Sequence, residues 1–161
     1  MAMGTDRLLN ANIYYFVLSG LMHGTQDWSV VKLRMKVPAD TKNLFLPSVA
    51  ITPEIAIDEP YEIGSSLVDR EKTFVLSAFA KRNGQRDALG EYLKTYITQE
   101  SKDFLDYNDG FPPTVGQSVL GRIDFNFLTM NPVVIENSPH LADKHRMDLR
   151  VSAEIIENPS Q

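Results

Sequence analysis

Cysteine is absent from this chain. That gap removes thiol nucleophiles, cysteine-ligated zinc, iron–sulfur clusters and disulfide staples together. A fold must then be held by its own apolar core, and 161 residues suffice, because folding at this size hides roughly two thirds of the surface an unfolded chain exposes. Long apolar runs are scarce too. The stretch Ile13 to Met22 falls short of the ~20 residues needed to cross a bilayer. Arg7 ahead of it gives a faint likeness to a signal peptide, but Asp6 stands beside that arginine and no small-residue cleavage pattern follows, so no membrane partner is expected. Positive charge is in deficit, with a formal net charge of -5, which argues against a dedicated nucleic-acid binder. There is no phosphate loop of the Gly-x-x-x-x-Gly-Lys type, no Gly-x-Gly-x-x-Gly, and neither Ser77 nor Ser118 sits in Gly-x-Ser-x-Gly. Repeats and low-complexity tracts are missing as well.

What remains is the profile of an ordinary α+β domain, 43% hydrophobic and 23% charged, and one domain over 1–161 is the expectation. Leu9, Ile13, Phe16, Val17 and Leu21 recur at helical spacing and predict an amphipathic helix from Asp6 to Met22. Leu89, Tyr92, Leu93, Tyr96 and Ile97 predict a second from Gln85 to Ser101, with Asn83 as its N-cap. Thr73 to Ala80 is apolar on both faces and reads as a central strand covered on both sides. Ile123, Phe125 and Phe127 alternate with polar residues, and so does the unbroken run from Arg146 to Ile155. These predict strands with one packed and one wet face.

Val31, Leu33, Met35 and Val37 alternate with Lys32, Arg34 and Lys36, which suggests a short strand or extended arm, although Trp28, Val31 and Met35 also fall on one helical face. Leu44 to Thr52 reads as a strand whose Pro47 demotes it to an edge or marks its entry point. Pro53 to Lys72, with Glu54, Asp58, Glu59 and Glu62, favours a long solvated loop or hairpin arm, and Thr129 to His145 a second long loop or hairpin. The expected fold is α+β: an antiparallel or mixed β-sheet of about four to six strands with the two main helices packed on one face.

Candidate chemistry is thin. His140 and His145 with Asp143 between them do not have a zinc spacing, and surface roles explain them better. Asp103, Asp106 and Asp109 with Asn108 and Gly110 look like turns and miss the calcium-loop pattern. Lys32, Arg34 and Lys36 form a basic stripe without interleaved aromatics, which fits a soluble face or an acidic neighbouring subunit better than single-stranded nucleic acid. No cofactor, metal or catalytic residue is expected.

The order of elements, the segment Leu46-Pro47-Ser48-Val49, the run Glu71-Lys72-Thr73-Phe74-Val75-Leu76-Ser77-Ala78-Phe79-Ala80 and the turn Gly84-Gln85-Arg86-Asp87-Ala88-Leu89 together resemble tailed-phage tail-terminator, tail-completion and neck proteins. The likeness spans Leu44 to Ile156 in outline and is specific only from Phe74 to Leu93. Arg86 and Asp87 also suit a solvated first turn beside a helix dipole. The basic Lys32 to Lys36 segment and the Thr129 to His145 loop look like additions to a compact terminator.

The resemblance implies a non-enzymatic virion protein of the tail or neck, assembled in the host cytoplasm. Copies of it would close into a sixfold ring that caps the tail tube protein and docks to the connector or neck proteins. DNA would pass through the lumen without specific binding, since a tight polyelectrolyte grip would oppose sliding. The expected interface residues are Ile55, Ile57, Tyr61, Glu62, Arg70, Arg86, Asp87, Val133 and Ile135, because isolated apolar residues on long loops are poorly explained by a monomer. Another neck or head-completion component is the nearest alternative. A small ligand-binding or enzymatic α+β protein, which requires a concave pocket with convergent polar groups, is the alternative from a different class.

Overall fold

The computed structural model describes residues 5–24, 28–37, 42, 44–60, 68–99, 102–108, 118–134 and 145–157, with residues 5, 6, 55–60, 68–70 and 157 described by backbone alone. The elements run α1 (Thr5–His23), β1 (Lys32–Met35), β2 (Ser48–Pro60), β3 (Val68–Phe79), α2 (Asn83–Gln99), β4 (Lys102–Leu105), β5 (Val119–Val133) and β6 (Arg146–Glu157). Six strands form one sheet in the order β1-β2-β3-β6-β5-β4. The β1–β2 pair is parallel and every other pair antiparallel, so the sheet is mixed. The fold is therefore the expected α+β arrangement of helices packed against a sheet.

Alternation decides which face is packed. Val49 and Ile51 of β2, Phe74 and Leu76 of β3, Leu149, Val151, Ala153 and Ile155 of β6, and Ile123 and Phe125 of β5 are buried with the α1 and α2 stripes in one core. Each fully buried side chain of this size contributes about 1.5–3 kcal/mol. The Phe16 ring on α1 stacks on Tyr96 of α2 at 4.6 Å and on Phe125 of β5 at 5.0 Å, which locks both helices to the sheet. Glycines permit the close fit: a methyl on Gly20 would overlap the Tyr96 ring, and the Tyr92 hydroxyl donates to the Gly20 carbonyl at 2.5 Å.

Four expectations are corrected. First, of the two readings of Leu44 to Thr52 the edge fails and the entry point holds. β2 starts at Ser48 and lies between β1 and β3, with Pro47 just ahead of it, where a missing N–H costs no ladder bond. Second, of the two readings of Pro53 to Lys72 the solvated loop gives way to the hairpin arm over the described residues: β2 runs to Pro60 and β3 starts at Val68, with register from Ala56↔Lys72 to Pro60↔Val68 past a bulge at Pro53/Ala56. Backbone pairing overrides an acidic composition here. Third, β5 continues to Val133, so Thr129 to Val133 pair with β6 as strand. Fourth, β3 is central, but the second face carries no full layer. There Phe79 is buried beneath Val37, Leu44 and Leu46 with Ala50, whereas Val75 and Thr73 stay half-buried.

The turn reading of the aspartates holds for Asp106 and Asn108, whose N–H donates to Asp106 Oδ1 at 2.9 Å. It misses β4. That strand is held by Asn12, a buried side chain on α1: its Nδ2 donates to Leu105 O at 2.9 Å and to Leu8 O at 2.8 Å, and its Oδ1 accepts from Leu105 N at 2.9 Å. Asn12 thus stands in for a strand at the sheet's edge.

Candidate functional site

The expected interface residues fall in three places and outside the described residues. Ile55 and Ile57 lie on β2 and Arg70 on β3, within the hairpin arm. Tyr61, Glu62 and Ile135 lie outside the described residues. Val133 is the last residue of β5, half-buried. Arg86 and Asp87 sit in the first turns of α2 and bond one another at 2.9 Å, with Arg86 only 13% exposed. That pair belongs to the helix start and is not gathered with the arm. Gln85 rather than Asn83 caps the chain there, its Oε1 accepting from Lys81 N at 2.9 Å. Asn83 instead meets the His145 ring at 2.8 Å. His145 also accepts from Ala80 N at 2.9 Å, so it ties β6 to the β3–α2 corner.

The arm projects. β3 pairs with β6 only from Arg70 to Phe79, whereas its pairing with β2 continues to Val68. Asp58 stands opposite Arg70, but Glu59 stands opposite Asp69. Like charges at directly opposite positions weaken a strand pair.

The sheet face away from the helices is strongly polar. Arg146 grips Asp148 with two bonds, at 2.8 and 3.1 Å, and its guanidinium lies 5.3 Å from the Phe79 ring centre. Arg150 bonds Glu54 at 2.7 Å, Ser152 donates to Glu71 at 2.6 Å, and Arg122 bonds Asp124 at 3.2 Å. At the β1 end of the same face stand Lys32 and Arg34, both exposed, while Leu33 and Met35 turn into the core. Lys32 lies 5.6 Å from the ring centre of Phe45, which is 54% exposed. Lys36 follows in the left-handed region, φ 63°, where the chain leaves the sheet. None of these three cations pairs with a carboxylate among the described residues. A depression of about 460 Å³ beside Lys36 is floored by Thr52, Val75 and Ser77 and walled by Arg146 and Asp148. The Thr52 hydroxyl there is buried without a partner.

Sequence reasoning read the Arg146 to Glu154 alternation as a wet face and missed its ion-pair ladder. The signal was present in Arg146, Asp148, Arg150 and Ser152 at alternate positions, but the partners Ser77 of Arg146, Glu54 of Arg150 and Glu71 of Ser152 come from strands distant in sequence.

A second concavity, about 520 Å³, opens between α1 and α2 and is lined by His23, Glu91, Tyr92, Thr95, Tyr96 and Gln99. Burial raises the Tyr96 phenol above its ordinary value of 10.0, as it does that of Tyr107. Among the described residues no three His, Asp or Glu side chains are grouped to hold a metal ion, and no helix is long and apolar enough to cross a membrane. No protein-family model matches the chain, and no curated protein matches it in sequence.

Proposed function

We propose that this chain is a structural protein of a tailed-phage virion, of the tail-terminator or neck type, whose copies close into a ring at the head–tail junction. One observation carries the reading. The segment that bears the family likeness folds as a central strand, β3, turning through Lys81 and Arg82 into α2, and β3 also forms half of a hairpin arm whose pairing with β2 continues two residues past the β3–β6 ladder, to Val68. A hairpin at the end of a sheet is a part of a small domain that can reach another subunit. A contact between two different patches closes into a ring when its rotation divides a full turn. The ring would cap the tail tube and dock to the connector, and its acidic balance suits a lumen that passes DNA without holding it.

Native mass spectrometry and negative-stain imaging of the purified protein test this. Closed rings are expected, sixfold for a terminator, and a different stoichiometry would reassign the chain to another neck component. A monomer at all concentrations would refute the reading, as would tight, salt-sensitive affinity for duplex DNA. The cleft between α1 and α2 favours one alternative, a small-molecule site near His23 and Glu91. A monomer carrying a bound metabolite would support that instead.

A further inference from the structure

We infer that the basic edge of β1 is the receptor for the acidic arm of a neighbouring copy, so that Lys32, Arg34 and Lys36 of one subunit meet the Glu59–Asp69 end of the next. The inference rests on the ring reading and names its contact. Lys32 and Arg34 project from an outermost strand, and Lys36 ends it. All three are exposed and lack a carboxylate partner among the described residues. The arm carries the opposite surplus: Glu59 stands opposite Asp69, with Arg70 opposite Asp58 to offset them in part.

Geometry keeps the two patches apart within one chain. Arg34 pairs with Ala50, and from Ala50 to Glu59 an extended strand covers about 30 Å at ~3.3 Å per residue. That is several times the ~8 Å over which charges act at physiological salt. The edge cannot neutralise its own arm, but a neighbour's edge can. The depression beside Lys36, floored by Thr52, Val75 and Ser77, leaves room for a carboxylate delivered from outside. Asp148 on its wall is held by Arg146 and does not compete. Edge and arm are different patches, so the contact is directional and favours rings over two-fold pairs.

Charge reversal tests the inference, with native mass spectrometry as readout and a cooperative thermal melt as the check on folding. An edge variant, Lys32→Glu with Arg34→Glu, and an arm variant, Glu59→Lys with Asp69→Lys, are each expected to lose the ring. Mixing them is expected to restore assemblies in which the two variants alternate, because each edge then faces an arm of opposite sign. Rings of the edge variant that persist as in the parent protein would overturn the inference and leave the ring reading standing. Failure of the mixture to reassemble would overturn it as well. A parent protein that never forms rings would overturn both.

Discussion

Replacing Asn12 with alanine tests how β4 is held. The wild-type amide makes three bonds, two of them to the backbone of Leu105, from a position only 3% exposed. At a net ~1 kcal/mol per bond, with more for a group left unsatisfied, the loss is about 2–4 kcal/mol. That is a large share of the roughly 5–15 kcal/mol that holds a domain of this kind. Asn12→Asp sharpens the test. A carboxylate still accepts from Leu105 N–H, but its second oxygen faces the carbonyls of Leu8 and Leu105, and a charge is buried. At neutral pH the expected order of stability is wild type, then Asn12→Ala, then Asn12→Asp. Burial raises the carboxyl's pKa in the folded state, so the added penalty is absent below the unfolded value and grows as pH rises through the folded one. The aspartate variant should therefore recover in acid while the alanine variant does not. Urea unfolding at two pH values measures this, and amide exchange at Leu105 adds a local readout, with protection lost in Asn12→Ala and kept in Asn12→Asp. An alanine variant that loses less than about 0.5 kcal/mol, or an aspartate variant as stable as alanine at pH 7, would refute the reasoning.

Gly20→Ala should destabilise the fold by about 1–3 kcal/mol through overpacking against Tyr96, although alanine is the better helix former by ~1 kcal/mol; a raised melting temperature would contradict the close approach of α1 and α2. Tyr96 and Tyr107 have phenols raised by burial, so the neutral forms stabilise the fold fully below pH 10.0, the unfolded value, and this is lost as pH climbs through the higher folded values. Melting temperatures followed into alkaline solution should fall there, and less steeply in Tyr96→Phe. Deleting 57–71 and joining Ala56 to Lys72, which already pair, through an Asn-Gly turn should leave a cooperatively melting monomer; normal assembly of that variant would remove the arm from the interface.

Legibility in the sequence followed the period of the pattern. α1, α2, β3 and β6 each carry several repeats of one clear period, and their burial settles by packing against each other. The arm was obscured because its alternation, Ile55 and Ile57 among acids and prolines, mimics loop composition, and its strands are secured by backbone pairing with β3 that no local signal reveals. β4 is only four residues long. What holds it is an asparagine 93 positions away in sequence, beyond the reach of any window. The basic stripe was visible from Lys32 to Lys36, but its isolation from the acidic arm is a property of register. Only the pairing of Arg34 with Ala50 puts a distance between them.

Sheet edges bear on how copies can join. β1 covers β2 only from Ser48 to Ile51, and β4 covers β5 only from Val119 to Ile123, so among the described residues the rest of both strands has an open edge. An open edge invites another chain to add a strand, and repeated addition grows without closing. Both stretches are blunted: β2 has a bulge at Pro53/Ala56, and β5 has one at Phe127/Thr129 with Pro132 beyond it. Bulges break the ladder and a proline withholds a donor, so strand addition would first have to straighten them. Contact through charged side chains needs no such change. Assembly should accordingly be sensitive to salt and leave backbone hydrogen bonding as it is. Raising salt to about 1 M, where charges are screened within ~3 Å, should dissolve the rings, and infrared amide bands should show no gain in sheet when they form. Rings that survive high salt and add strand signal on assembly would place the joint at the edges after all.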